Sequence, residues 1–302
     1  MRGLKAPTTV TAKVPRARAE GIRAAMESGG WEFDGRAPEH AIWAARLPGV
    51  RAVMYASGKL VLQGRDAASA AEEYLGGAPA PAGFRVAIRA PILGSDEAGK
   101  GDFLGPLVAA AVLVGPERVA LLAEEGVRDS KTLSDREARE AARLVRASCP
   151  HSVVTVFPER YNDLHREMGA NLNRLLAWAH ARALEDVLSG EGGGEARGIV
   201  VDGFTGEAGV ARALLPRARA LPLEVRPRAE DHPAVAAASV LARAAFLDGL
   251  DRLSAECGVR LAKGAGPPAD QAARRVVAKG GPALLARVAK MHFKNALRVG
   301  GR

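Results

Sequence analysis

Apolar and polar positions alternate in short runs over the first 75 residues. TTVTAKV (8–14), WEF (31–33), AIWAARL (41–47), VRAVMYA (50–56) and KLVLQG (59–64) each read as a strand, the last pair joined through Ser57-Gly58 as a hairpin. A helix opened by Pro15 and stopped by Gly29-Gly30 separates the first two, and DAASAAEEYL (66–75) forms a second helix with Asp66 at its cap. The order β-α-β-β-β-β-α predicts a curved sheet with helices on one side. GGAPAPAG (76–83), rich in Gly and Pro and free of charge, reads as a linker.

Beyond it the runs lengthen and alternate in kind. FRVAIRA and the approach to Asp96 predict a strand, followed by strands at LVAAAVLV (107–114), SVVTVF (152–157) and GIVVD (198–202). NRLLAWAHARALEDVL (173–188) is a long helix, EGGGEARG a loop, and the Ala- and Leu-rich AVAAASVLARAAFLDGL (234–250) a helix packed closely against its neighbours. This alternation predicts an α/β domain.

Composition narrows the class. At 302 residues the chain suits one large or two ordinary domains, at about 150 residues each. A hydrophobic share of 48% can bury a core, yet no apolar run reaches the roughly 18 residues of a membrane span. MRGLKAPTTVTAKVP lacks the apolar stretch of a signal peptide, so a cytoplasmic protein without membrane contact is expected. Cys149 and Cys257, far apart and outside any C-x-x-C, fit a reducing compartment and argue against structural zinc. With no H-E-x-x-H either, a catalytic metal falls to carboxylates.

Net charge is +9, unevenly spread. Residues 1–65 hold eleven Lys or Arg against five Asp or Glu, and residues 258–302 hold ten against one, so the centre is acidic. Basic ends that grip a polyanion and an acidic centre that gathers cations account for this pattern, as does an Arg-rich surface with no partner. Aromatic residues make up only 4%, which disfavours a base-stacking platform and favours reading of backbone and duplex shape.

Residues 94–106, GSDEAGKGDFLGP, nearly match the phosphate-cradling G-x-x-x-x-G-K-[ST] loop. Three features exclude it. Asp96 and Glu97 would face the phosphates with negative charge, Gly101 stands where the magnesium-binding hydroxyl belongs, and a second strand follows where a helix must begin. Acids that end apolar strands, at Asp96-Glu97 and Asp202, instead gather at one sheet edge, where ligands of open α/β sheets bind. Oxygen donors of this kind suit Mg2+ or Mn2+ and phosphodiester cleavage.

DEAGKGDFLGP, DSKTL (129–133), RYNDLH (160–165), NLNRLLAWAHA (171–181), VVDGF (200–204), RAEDHPAVAAASVLAR (228–243) and KMHFKN (290–295) occur in that order. Together they resemble the type 2 ribonucleases H, most closely the ribonuclease HIII family, over residues 84–302. The unit at 1–75 is similar to that family's TATA-box-binding-protein-like domain. The resemblance implies an RNase H-like α/β catalytic domain behind a small N-terminal α+β domain with a TBP-like curved sheet. It also implies a monomer that uses Mg2+ or Mn2+ to cut the RNA strand of an RNA/DNA hybrid, leaving 3′-hydroxyl and 5′-phosphate ends.

By position, Asp96, Glu97 and Asp202 are the implied metal ligands. Glu230 is favoured as the fourth catalytic acid, with Asp231 as contender because the spacing to Ser239 is one residue short. Gly99, Lys100 and Gly101 are expected at the phosphate and 2′-hydroxyl, since glycines let a backbone approach closely. Ser130 and Lys131 are expected at backbone phosphate. His180 reads as a packed core histidine, and Asn171 or Asn173 as the cap of its helix. Ser239 with Arg243 is structural or lines the substrate channel, while Tyr161, His292 and Lys294 serve packing or phosphate. Incision at single embedded ribonucleotides, as by ribonuclease HII, is the alternative activity, and a non-catalytic hybrid-binding protein the alternative class. GKG and the extra domain disfavour the first, and the intact acid set the second.

Overall fold

The computed structural model describes residues 8–14, 16–35, 37–75, 84, 86–128 and 130–300; the linker segment 76–83, Pro15 and Asp129 lie outside the described residues. The chain forms two compact units, Met1–Arg89 and Ala90–Arg302.

The first unit runs β1 (Thr8–Lys13), α1 (Arg16–Ser28), β2 (Glu32–Phe33), β3 (Ala41–Leu47), β4 (Val50–Tyr55), β5 (Lys59–Gly64) and α2 (Ala67–Leu75). Its strands pair antiparallel in the order β1-β5-β4-β3-β2. The two-residue period sends Val10, Leu60, Leu62, Ala52, Met54, Trp43 and Ala45 to one face, where they bury against Ile22 and Met26 of α1 and Ala67 and Ala71 of α2. The opposite face carries the intervening residues in register. Lys13 pairs with Lys59, and Thr9, Gln63, Arg51 and Arg46 form a row across four strands.

The second unit begins with β6 (Ile92–Ala98). The expected strand from Phe84 is not formed, and residues 86–91 approach β6 as irregular chain. Pro91 has no N–H for a ladder; its carbonyl accepts from the Arg197 amide at 2.9 Å, and the Leu93 amide then donates to the Gly198 carbonyl at 3.0 Å. After β6 come β7 (Leu107–Val114), α3 (Pro116–Glu124), α4 (Asp135–Ser148), β8 (His151–Val156), α5 (Pro158–Glu167) and α6 (Leu172–Ser189). Then follow β9 (Ile199–Asp202), α7 (Glu207–Ala213), α8 (Pro216–Arg219), β10 (Leu223–Arg226), α9 (Pro233–Cys257), α10 (Pro267–Val288) and α11 (Lys294–Arg298). The sheet order is β10-β9-β6-β7-β8, with β6, β7 and β8 antiparallel and β9 and β10 parallel to β6.

Several of these helices went unread although one carried a signal. Ser134 and Glu137 form a reciprocal capping box at the start of α4. The expected Asn171 cap is present, its side chain accepting from the Arg174 amide at 3.2 Å, whereas Asn173 lies inside α6.

Two helices sandwich the sheet. Ala181, Leu184 and Val187 of α6 pack on the face that presents Leu93 and Leu113, while α9 crosses the other face over β6 and β7. Gly94 permits that second contact, because a side chain there would meet the carbonyl carbon of Ala234 at 2.2 Å. Among the described residues α9 is long and apolar enough to span a membrane by length and composition, but 83% of its most apolar window is buried inside this unit. It is the core helix.

Candidate active site

The close seat of α9 on Gly94 delivers the turn before that helix to the sheet edge where β6 and β9 end. Parallel register pairs Ser95 with Val201, so the next step along both strands sets Asp96 and Asp202 side by side. Chain direction reverses between β10 and α9 through Arg228, which takes a left-handed conformation (φ +57°), and the 3-10 turn Ala229–Asp231. The Ala229 amide donates to the Asp202 carboxylate at 2.9 Å and locks this turn against β9. Glu230 thereby points inward. Carboxylate oxygens of Asp96, Asp202 and Glu230 all lie within 4.8 Å of one another.

Asp231 points away from this trio, its carboxylate 2.6 Å from Arg226. The two acids are adjacent in the turn, which sends them to different partners.

Glu97 follows Asp96 directly and therefore faces the opposite side of the sheet, toward α6. There His180 Nε2 lies 3.1 Å from its carboxylate, and His180 Nδ1 lies 2.6 Å from the Ser95 hydroxyl. Lys100 adds an ion pair with Glu97 at 3.5 Å. His180 is fully buried and stacks on Phe204 with 4.8 Å between ring centroids. It is a packed core histidine, as its apolar surroundings suggested, but it also holds the Glu97 carboxylate. The signal available in sequence was only its place midway along an apolar helix, which does not reveal the partner across the fold.

The electrostatics mark a place for a cation. Burial, followed by the charge of Glu97, raises the Asp96 carboxyl to about 8, against weaker opposition from the Ser239 hydroxyl. Asp202 is also raised, by burial first and then by the neighbouring charges of Glu230 and Glu97, despite the bond from Ala229. Burial acts on Glu97 in the same sense, but the hydrogen bond and charge of His180, together with Lys100, outweigh it and hold this acid below its ordinary value. Acids packed this closely resist ionising together unless a positive charge joins them. A lysine supplies part of that charge here: Lys131 Nζ sits 2.5 Å from Glu230.

Asp96, Glu97, Lys100, Lys131, Asp202 and Arg243 line an open cleft. Gly99 and Gly101 border it as well, with Gly99 at φ +86° and Gly101 facing open space. Ser130 is buried beneath the cleft, its hydroxyl 2.8 Å from Ser239, and its carbonyl accepts from Arg243. Arg243 also bonds Asp135 at 2.9 Å, so Ser239 and Arg243 tie the Ser130–Thr132 turn to α9. Tyr161, His165 and His292 form a separate aromatic stack, with 4.5 Å between the two imidazole centroids.

Residues 93–296 match the family model for ribonuclease HII. Ribonuclease HIII of Protochlamydia amoebophila is 38% identical over 85% of this chain and 86% of its own, and that of Lysinibacillus sphaericus is 38% identical over 84% and 87%. The chain belongs to the type 2 ribonuclease H family, in its ribonuclease HIII branch. A solved structure of Bst-RNase HIII in complex with Mn2+ superposes with a TM-score of 0.67 at 29% identity, covering 97% of this chain and 98% of the other. The second unit accordingly has the RNase H-like fold of the family, preceded by a sheet domain as in that structure. Residues 24–82 of the first unit match a domain of unknown function (DUF3378).

Proposed function

We infer that the protein is an endoribonuclease that hydrolyses the RNA strand of RNA/DNA hybrids. The observation that carries this reading is the convergence of Asp96, Asp202 and Glu230 at the end of two adjacent parallel strands, in a chain of this family. These carboxylates fit a divalent cation, Mg2+ or Mn2+, because they are oxygen donors, mutually close and short of positive charge. Asp96 and Asp202 would hold it with Glu230, while Glu97, expected among the ligands, faces α6 and completes the catalytic set from the opposite face. When bound, such a cation lowers the pKa of water and offsets charge on the scissile phosphate.

The remaining work falls to side chains and loop amides. His180 and Lys100 keep Glu97 ionised and oriented. Gly99, Lys100 and Gly101 read the ribose 2′-hydroxyl and the adjacent phosphate, where backbone amides reach a sugar only if no side chain intervenes. Lys131 leaves Glu230 for a substrate phosphate, and Ser130 supports it from below. The products carry 3′-hydroxyl and 5′-phosphate ends.

The first unit serves as the duplex grip, its Lys13–Lys59 pair and Arg46–Arg51 row facing away from the helices. Residues 1–75 then bind, 84–302 cut, and a monomer acts in the cytoplasm without membrane contact. The test is incubation with labelled RNA/DNA hybrid and with a duplex bearing one embedded ribonucleotide, each with Mg2+, with Mn2+ and with a chelator. Metal-dependent cutting of the hybrid supports the reading. Cutting confined to the single ribonucleotide replaces it with the alternative activity.

A further inference from the structure

Lys290 is the one lysine among the described residues counted in the fully buried core. It lies on the chain between α10 and α11, well outside the acid cluster, and its surroundings are unusual for a cation. The ammonium donates to the Asp102 carbonyl at 2.9 Å and the Gly105 carbonyl at 2.7 Å, and it sits 5.7 Å from the centroid of the Tyr161 ring. Two carbonyls three residues apart are thus drawn to one point.

Those carbonyls belong to the segment that continues directly from Gly99-Lys100-Gly101. Its backbone is bonded to the same strap from both ends: Lys290 N donates to the Phe103 carbonyl at 2.9 Å, and Gly105 N to the Val288 carbonyl at 2.9 Å. Asp102 accepts from the Gly264 amide, and the Phe103 amide donates to the Gly264 carbonyl at 3.0 Å. The strap itself is anchored by Asn162, which donates to the Ala286 and Ala289 carbonyls at 3.1 and 3.0 Å and accepts from the Met291 amide at 2.9 Å. Among these bonds only those of the Lys290 side chain and of the Asp102 carboxylate involve an ionisable group. Burial lowers the Lys290 pKa to about 7, yet the side chain donates to both carbonyls, and a buried amine without its acceptors is costly.

We propose that Lys290 is a positioning residue for substrate selection: by clamping the Asp102 and Gly105 carbonyls it fixes the height of the Gly99–Gly101 loop over the cleft, and so the enzyme's discrimination between ribose and deoxyribose. This rests on the reading of that loop given above. A methionine of similar length would fill the same space but bond neither carbonyl. The loop would then keep its sequence and its metal-side neighbours while losing the restraint that sets its distance from the sugar.

The experiment compares the parent with Lys290→Met on two hybrids. One carries an all-ribose strand; the other has a single 2′-deoxy sugar at the preferred cleavage position. The ratio of kcat/KM values is the readout, with circular dichroism and thermal melting to confirm folding. The expected result is a ratio reduced by about tenfold or more, accompanied by faster amide exchange confined to residues 99–105. An equal loss on both substrates, or an unchanged ratio, overturns the proposal, because a merely structural lysine lowers both rates together. Lys290→Leu, which likewise bonds neither carbonyl, is read in the same way if Lys290→Met does not fold. Failure of both to fold makes the lysine a fold determinant and also overturns it. If the parent itself cuts neither hybrid, the functional reading fails instead, and that outcome is separate from any property of the variants.

Discussion

Gly99 and Gly101 flank the same lysine, yet the structure assigns them different costs on substitution. A methyl group at Gly99 would lie 2.2 Å from the Pro106 carbonyl oxygen and 2.9 Å from the Phe246 ring, at a backbone φ of +86°. The left-handed conformation costs an L-residue about 1–2 kcal/mol, and forcing packed atoms apart adds about 1–3 kcal/mol. The sum of about 2–5 kcal/mol corresponds to a fall in Tm of roughly 5–15 °C for a unit of this size. At Gly101 no atom lies within 4 Å of an added Cβ, and φ is not positive. Gly101→Val should therefore alter stability by no more than about 0.5 kcal/mol. Its side chain would stand between the loop amides and the sugar, and losing one such neutral bond to substrate, at about 0.5–1.5 kcal/mol, lowers kcat/KM by roughly 2- to 10-fold. Thermal melting and initial rates on RNA/DNA hybrid, measured for Gly99→Ala and Gly101→Val in parallel, test both halves. A Gly101→Val enzyme with the parental kcat/KM would refute the argument that the loop backbone reads substrate.

Asp96→Asn, Glu97→Gln, Asp202→Asn and Glu230→Gln should each nearly abolish cleavage while hybrid binding persists, whereas Asp231→Asn, which loses only an ion pair with Arg226, should stay within about tenfold of the parent. Rate measurements that rank Asp231→Asn as severe and Glu230→Gln as mild would reverse the assignment. Without divalent cation, stability should fall as pH rises, because the Asp96 carboxyl, at about 8 in the fold against 3.8 ordinarily, keeps a proton that the unfolded chain has lost. The contribution is complete below about pH 4 and is lost by the time pH passes about 8. Chemical denaturation across this window should show a slope of up to about 1.4 kcal/mol per pH unit, absent in Asp96→Asn; the same slope in that variant would assign it to another group. A chain beginning at Ala90, where the second compact unit starts, should keep its rate at saturating hybrid within about tenfold but bind more weakly. Each lost phosphate contact should flatten the dependence of log K on log salt by roughly 0.7–0.9, and an unaltered slope would leave the first unit without a role in binding.

Much of this protein was legible from local pattern. Most strands of the first unit alternate because one face is buried and the other is not, so their approximate bounds follow from period two, although β3 breaks the pattern with Trp43, Ala44 and Ala45 all buried. LVAAAVLV reads as a strand because β7 is covered on both faces, and Asp96 and Asp202 stand out because each ends an apolar run. These signals lie within a few residues of one another along the chain. The choice between Glu230 and Asp231 does not, since both occupy one 3-10 turn with the same charge, and only the bond from Ala229 to Asp202 across the fold selects which carboxylate points inward. Likewise, Asp96 and Glu97 read as one pair of acids, but the pleat sends them to opposite faces, toward α9 and α6. His180 and Lys290 find their hydrogen-bond partners 83 residues and more away. Tertiary structure decided these roles because a side chain's direction is local, while its partner is set by which distant segment the core brings against it.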